Sequence, residues 1–261
     1  MIEPLLSDDA FLADVEAARR EPEALHLWWL GQSGYLVQWR RRHLLLDPYL
    51  SDSLTRKYAD TDRPHVRMTR RVIAPERLAF ADVVTSSHNH TDHLDAETLS
   101  PVLDGGAVLV CPLANVAFAA DRLEREPQCP LDFGQRASVA GFEIEAVPAA
   151  HPDPEPQYAG YVVRCGGGSI YHSGDSVVFE GMAARARGAD VALLPINGRL
   201  GNMDAVEAAG LAHELGARVA IPCHYEMFEF NTADPGVFAR ECERLGQPFR
   251  ILRAGERFSL R

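Results

Sequence analysis

The chain has 261 residues, of which 46% are hydrophobic, and a formal net charge of −11 at pH 7. That length and apolar content bury a sizeable core and fit one α/β domain spanning residues 1–261, while the acidic balance weighs against nucleic acid or anionic membrane as a partner. Five cysteines (Cys111, Cys129, Cys165, Cys223 and Cys242) show no close pairing pattern and read as reduced thiols. With no secretory signal pattern and no apolar run of roughly 18 residues, a cytoplasmic location is expected.

Residues 7–20 predict a helix, with Ser7 as cap, Asp8 and Asp9 at the positive end of the dipole, and Arg19 and Arg20 at the other. Phe11, Val15 and Ala18 share its buried face. Residues 25–30, 35–39 and 44–46 predict a β-meander turned at Gly31-Gln32-Ser33-Gly34. Trp28 and Trp29 face opposite sides of their strand, so at least one belongs to the core. Asp47 closes an apolar strand, where a carboxylate needs a partner. It can hold a ligating histidine from behind or cap the turn before Pro48. Residues 55–77 carry Arg56, Lys57, Arg63, Arg67, Arg70, Arg71 and Arg77 against Asp60, Asp62 and Glu76. Such an excess either guides an anionic substrate or is a solvated face. The single lysine, Lys57, reflects composition bias.

The next run, Asp82-Val83-Val84-Thr85, predicts a strand leading into His88-Asn89-His90-Thr91-Asp92-His93. Three imidazoles and a carboxylate in six residues suit borderline divalent cations. If the strand continues extended to His90, His88 and His90 point the same way and share one ion. A bend then turns Asp92 and His93 toward a second, and two ions about 3.5 to 4 Å apart are the usual arrangement for activating water against an ester or phosphoester.

Asp95 caps a helix over 96–101, 107–111 predict a strand and 113–124 a helix, an alternation that points to α/β layers. A strand over 142–147 delivers His151, which completes a three-histidine set with His88 and His90. The stretch 148–156 is linker-like in composition. Gly166-Gly167-Gly168 predicts a hairpin turn in place of a phosphate loop, because no helix pattern follows. The strand after it ends at Gly174-Asp175, where a carboxylate can leave the sheet edge and bridge two ions. His172, on the opposite face, reads as structural. A strand over 191–194 precedes Asn197 and Arg199, and a helix over 203–215 is expected with Asn202 as cap and Gly216 as stop. Residues 218–222 predict a strand delivering His224, the last candidate ligand, followed by Tyr225. Cys223 reads as a buried hydrophobe. Asn197, Arg199 and Tyr225 are candidates for substrate contact or oxyanion stabilisation, or loop caps. His26, His43, His65 and His213 occur at no site-like spacing.

The ordered series His88-x-His90-x-Asp92-His93, His151, Asp175 and His224, each after a strand, resembles the metallo-β-lactamase superfamily. Trp28-Trp29-Leu30-Gly31, Tyr171-His172-Ser173-Gly174-Asp175-Ser176, Ile221-Pro222-Cys223-His224 and Ala233-Asp234-Pro235 resemble its L-ascorbate-6-phosphate lactonase branch. The resemblance implies a four-layer αββα sandwich with two divalent ions, zinc or manganese, at one edge of the facing sheets. By that analogy His88, His90 and His151 hold one ion, Asp92, His93 and His224 the other, and Asp175 bridges them. A hydroxide between the ions would attack a carbonyl or phosphorus, with Asp92 able to orient it. The expected activity is hydrolysis of a lactone or related ester of a small polar, phosphorylated or unphosphorylated, substrate. A phosphodiesterase or nuclease of the same superfamily, and a metal-binding regulatory protein without catalysis, are the other readings, and a homo-oligomer is compatible with all three.

Overall fold

A computed structural model describes residues 1–152 and 158–261. Of the linker-like stretch 148–156, residues 153–156 lie outside the described residues. The first part of the chain forms β1 (Leu25–Gly31), β2 (Gly34–Trp39), β3 (Arg42–Leu46), β4 (Val83–Thr85), β5 (Val108–Pro112) and β6 (Cys129–Leu131). The second forms β7 (Arg136–Val139), β8 (Phe142–Pro148), β9 (Ala159–Cys165), β10 (Gly168–His172), β11 (Val191–Pro195) and β12 (Val219–Cys223), and β13 (Arg257–Leu260) returns to pair with β1. The sheets run β13-β1-β2-β3-β4-β5-β6 and β12-β11-β10-β9-β8-β7. Each begins as an antiparallel meander and continues with parallel strands reached by crossovers.

The two sheets face each other and share one apolar core. The Tyr35 hydroxyl of β2 donates to the Pro222 carbonyl of β12 at 3.3 Å, and Tyr161 of β9 donates to the Ser86 carbonyl beyond β4 at 2.9 Å. Helices cover the outer faces. On the first sheet lies α1 (Asp8–Ala18), which sets Phe11 edge-on against Trp28 at 6.2 Å and takes the Trp28 indole N–H on Asp14 at 2.9 Å. The helices α2 (Ser53–Lys57), α3 (Ala96–Asp104) and α4 (Val116–Leu123) belong to the same half of the chain, and α5 (Met182–Arg185), α6 (Ala205–Leu215) and α7 (Pro235–Leu245) to the other, with α6 packed on β11 and β12. This is the metallo-β-lactamase fold, an α/β sandwich of two mixed sheets with helices outside. Sandwiching explains why Trp28 and Trp29 are both fully buried: a strand with a helix on one side and a second sheet on the other has no wet face.

Several local expectations are corrected. Ser7 occupies the cap position of α1 but makes no side-chain cap bond, and the helix ends at Ala18, so Arg20 lies beyond it. The helix after Asp95 runs on to Asp104 through Pro101, and the segment from Leu113 opens with a 3-10 turn before α4. Asp204, not Asn202, caps α6: it accepts from the backbone of Val206 and Glu207 at 2.9 Å while Glu207 bonds back to its N–H. The Asp-x-x-Glu capping box outcompetes the earlier asparagine because it satisfies donors in both directions. Asp95 does cap α3, through the Thr98 N–H at 3.1 Å. Finally β4 stops at Thr85, and His88 to His90 lie in a bend, not in an extended strand.

Candidate metal centre

Every candidate ligand sits just beyond the C-terminal end of a strand, and those ends meet at one edge of the sandwich. Crossover connections bring parallel strands out at the same edge, so loops distant in sequence gather there. The loop after β4 is folded by its own backbone: the His90 carbonyl accepts from His93 N at 3.0 Å and Leu94 N at 2.8 Å. A tight turn, not strand alternation, therefore brings His88, His90 and His93 together, with ring centroids 4.6 Å apart for His88 and His90 and 4.1 Å for His88 and His93. Arg122 from α4 pins the loop from outside, donating to the carbonyls of Asn89 at 2.5 Å and Leu94 at 3.1 Å.

Asp175 reaches the cluster because Gly174 lets its loop press against two neighbours. The Gly174 φ is +61°, and a Cβ there would lie 2.6 Å from the Ala159 carbonyl oxygen and 2.9 Å from Ser87 Cβ. On the far side, the loop after β11 closes on His151 at Gly201, whose φ is +92° and whose Cβ would lie 2.4 Å from the His151 ring. Three further site residues hold left-handed backbone without being glycine: Gln32 at +51°, Asp47 at +37° and His224 at +63°. Such conformations persist where the surroundings over-determine them. Here the His224 N–H is held by the Gln32 carbonyl at 3.0 Å.

The ligand atoms fall into three overlapping groups, each within 4.8 Å: His90, His151 and Asp175; Asp92, His93 and His224; and His88, His93 and Asp175. Asp92, His93 and His224 group together as the resemblance implies, and His88 falls in a group with His93 and Asp175 while its ring also lies 4.6 Å from that of His90. Asp175 lies between the sets, Oδ1 3.3 Å from His93 Nε2 and Oδ2 3.4 Å from His224 Nε2. Asp92 Oδ2 is 3.7 Å from the same two nitrogens. Burial alone would raise the Asp175 carboxyl pKa, yet the imidazoles of His224 and His93 outweigh it and hold it well below the usual range. Burial would likewise lower His93, but Asp175 and Asp92 push it well above that of an ordinary imidazole. His88, buried and beside His93, falls well below.

The donor set suits a divalent cation. His88 Nε2, His93 Nε2 and Asp175 Oδ1 are buried without a hydrogen bond, and buried polar atoms left so in a native fold call for an ion or other partner. Nitrogen and oxygen donors of this kind match zinc, manganese or iron.

Residues around the set hold it in place. Asp47, fully buried, accepts from His93 Nδ1 at 2.8 Å, from Thr85 Oγ1 at 2.8 Å, from Ser87 N at 3.1 Å and from the Ser87 hydroxyl. His172 lies apart, its Nε2 donating to the Ser33 carbonyl at 3.0 Å and its ring edge-on to Tyr35. Burial pushes the Cys223 thiol well up, so it stays protonated. Two neighbours carry no signal in the sequence reading. Gln32 Nε2 donates to Asp92 Oδ2 at 2.8 Å and lies 2.9 Å from His224 Nε2. Tyr158 stacks on His151 with centroids 4.4 Å apart and meets His90 Nε2 through its hydroxyl at 3.1 Å.

Of the two readings open for Asn197, Arg199 and Tyr225, the structure gives each a loop-holding role. Tyr225 is buried, stacked on Trp29 at 4.4 Å, with its hydroxyl donated to the Leu252 carbonyl at 2.5 Å. Asn197 is buried and donates to Arg199 O at 3.1 Å and Asn231 Oδ1 at 2.9 Å. Arg199 is exposed and bonds the Phe230 carbonyl at 3.1 Å. All three hold loops, and none lines the cavity of about 480 Å³ that opens onto Asp92, Asp175 and His224. A position after a strand tells which edge a residue occupies but not which way its side chain turns.

A model of a beta-lactamase superfamily domain matches residues 42–225. A UPF0173 metal-dependent hydrolase from Opitutus terrae is 33% identical over 246 residues, covering 89% of this chain and 98% of that one. Among solved structures, a metallo hydrolase from Ignicoccus hospitalis superposes with a TM-score of 0.71 at 23% identity, covering 91% of this chain and 99% of that one. An isothiocyanate hydrolase from Delia radicum gut bacteria gives a TM-score of 0.71 at 18% identity, covering 90% and 100%. At these identities the structures speak for the fold alone.

Proposed function

The chain belongs to the beta-lactamase superfamily as one of its metal-dependent hydrolases, and on that premise we propose that it opens a lactone or a related carboxylic ester with two divalent cations held in the histidine and aspartate cluster. The observation that carries this reading is the place of Asp175, one oxygen toward His93 and the other toward His224, in two of the three donor groups. His90, His151 and Asp175 would hold one cation, Asp92, His93 and His224 the other, with His88 completing the set beside Asp175. Such cations supply Lewis acidity toward the carbonyl and a water acidic enough to act as nucleophile at neutral pH.

The chain's own residues prepare the rest. Asp47, by accepting the hydrogen bond of the His93 Nδ1–H, would fix the tautomer whose Nε2 can face a cation beside Asp175. Gln32 fixes the Asp92 carboxylate, which orients the attacking water. Attack on the acyl carbon and cleavage of the ring C–O bond yield a hydroxy acid, so each turnover of a neutral lactone releases one proton at neutral pH.

The test is base uptake in a pH-stat by zinc-loaded and manganese-loaded protein with a panel of neutral lactones and with phosphodiesters, together with loss of ultraviolet absorbance for L-ascorbate 6-phosphate, whose enol is already ionised so that its ring opening releases no net proton. Metal-dependent acid release from a lactone, absent from His90→Ala, is the expected result. Turnover of phosphodiesters alone would transfer the assignment to that class, and silence across the panel from metal-loaded protein would overturn it.

A further inference from the structure

The cavity has two unlike sides. Toward the loop after β4 it is polar and ends on Asp92, Asp175 and His224; the opposite wall is made by α2 with the segment behind it and by the loop after β12. That wall is aromatic. His65 stacks on Tyr58 with centroids 4.3 Å apart and stands edge-on to Phe228 at 5.0 Å and Phe230 at 4.4 Å, with Leu54 beside them. Two of its polar atoms are turned into the wall itself: His65 Nδ1 donates to the Arg63 carbonyl at 3.1 Å, and the Thr61 hydroxyl to the Tyr58 carbonyl at 2.9 Å. A polyol placed there would exchange water for carbon, a loss its hydroxyls would not recover. A flat apolar ring would gain both area and ring-to-ring contact.

The rim adds a charge. Of the seven cations in residues 55–77, Arg56 pairs with Glu97, Arg67 with Asp52 at 2.7 Å, Arg70 with Glu3 at 3.4 Å and Arg77 with Asp9 at 2.5 Å, while Arg71 bonds the Leu50 carbonyl. Lys57 and Arg63 are left without an ion pair among the described residues; both line the cavity, as does Asp62, and Lys57 Nζ stands 5.2 Å from the centre of the Tyr58 ring. The solvated-face reading thus covers most of the segment, and these two carry what remains of the anion-guiding one.

We propose that the substrate carries, besides its hydrolysable acyl group, a flat apolar ring seated on Tyr58, His65 and Phe230 and an anionic group met by Lys57 and Arg63. This rests on the hydrolase reading for the place of the acyl group, and its test is an equilibrium measurement independent of turnover. Zinc-loaded full-length protein is titrated calorimetrically with propionate, gluconate, 3-phenylpropionate and a ring-carboxylated 3-phenylpropionate. The ring is expected to tighten binding over propionate and gluconate about ten-fold or more, and the added carboxylate by a further few-fold that disappears at high salt. In Phe230→Ala, and separately in Tyr58→Ala should the first fail to fold, the ring preference falls to within about three-fold. In a Lys57→Ala and Arg63→Ala double variant the carboxylate increment is lost. Gluconate binding as tightly as 3-phenylpropionate, a ring preference that survives Phe230→Ala and Tyr58→Ala, or no binding of any of the four would overturn the proposal. Aryl preference without hydrolysis of any lactone would overturn the hydrolase reading alone, and hydrolysis without aryl preference would overturn this one alone.

Discussion

His93 Nδ1 donates to the Asp47 carboxylate at 2.8 Å while Nε2 of the same ring lies 3.3 Å from Asp175 Oδ1. One imidazole thus ties a carboxylate at the end of β3 to one at the end of β10. Asp47→Asn keeps the volume but weakens the acceptor, so metal affinity should fall about 10- to 100-fold with the fold retained. Competition with a chromophoric chelator measures it; unchanged affinity would deny Asp47 its role behind His93.

His90→Ala and Asp175→Ala should remove metal and activity together, each deleting a member of a donor group. His172→Ala should spare metal content and lower stability by about 1 to 3 kcal/mol, because the Ser33 carbonyl loses its buried donor. Metal analysis after dialysis, paired with urea unfolding, separates the two outcomes. Full activity in Asp175→Ala would sink the two-cation assignment.

Arg122 acts on the site through the backbone. Its guanidinium is the donor to two carbonyls of the β4 loop, and hydrogen bonds to charged groups contribute about 1.5 to 3 kcal/mol each. Arg122→Met should therefore destabilise the metal-free protein by a few kcal/mol and raise the metal requirement for activity. Equal urea midpoints for the variant and the parent would refute this.

His43 offers a pH signature away from the metal centre. Burial lowers its pKa from 6.5 to about 4, and it packs edge-on against Phe80 at 4.8 Å. The unfolded chain takes up a proton as pH falls below 6.5, whereas the folded chain waits until about 4. Stability from this group therefore falls across that window by about 3 kcal/mol and falls no further below it. Unfolding of parent and His43→Asn, both kept in chelator, should differ in slope between pH 6.5 and 4. Parallel curves would contradict the buried neutral imidazole.

The fold was readable because strand, turn and helix signals alternated and because the histidine motif has a composition no apolar core would choose. What stayed hidden was side-chain direction. Tyr225 follows His224 and reads in sequence as substrate contact or loop cap alike, and only the structure shows it turned inward onto Trp29. Gln32 was merely a turn residue in sequence, and only the convergence of β1 with β12 brings it to His224. Tyr158 borders residues of linker-like composition, where no periodicity announces a ring. His65 has no site-like spacing because its partners, Phe228 and Phe230, are contributed from the opposite end of the chain. The Asp204 to Glu207 box, by contrast, was present in the sequence, and Asn202 simply stood two residues too early.

The candidate ligands and the aromatic wall are carried by different stretches of chain. The ligands stand at strand ends fixed by two sheets, whereas the wall comes from residues 54–65 and 228–230, which lie outside every strand. Substitution or length change in those two segments could alter what is chosen while leaving untouched what cuts.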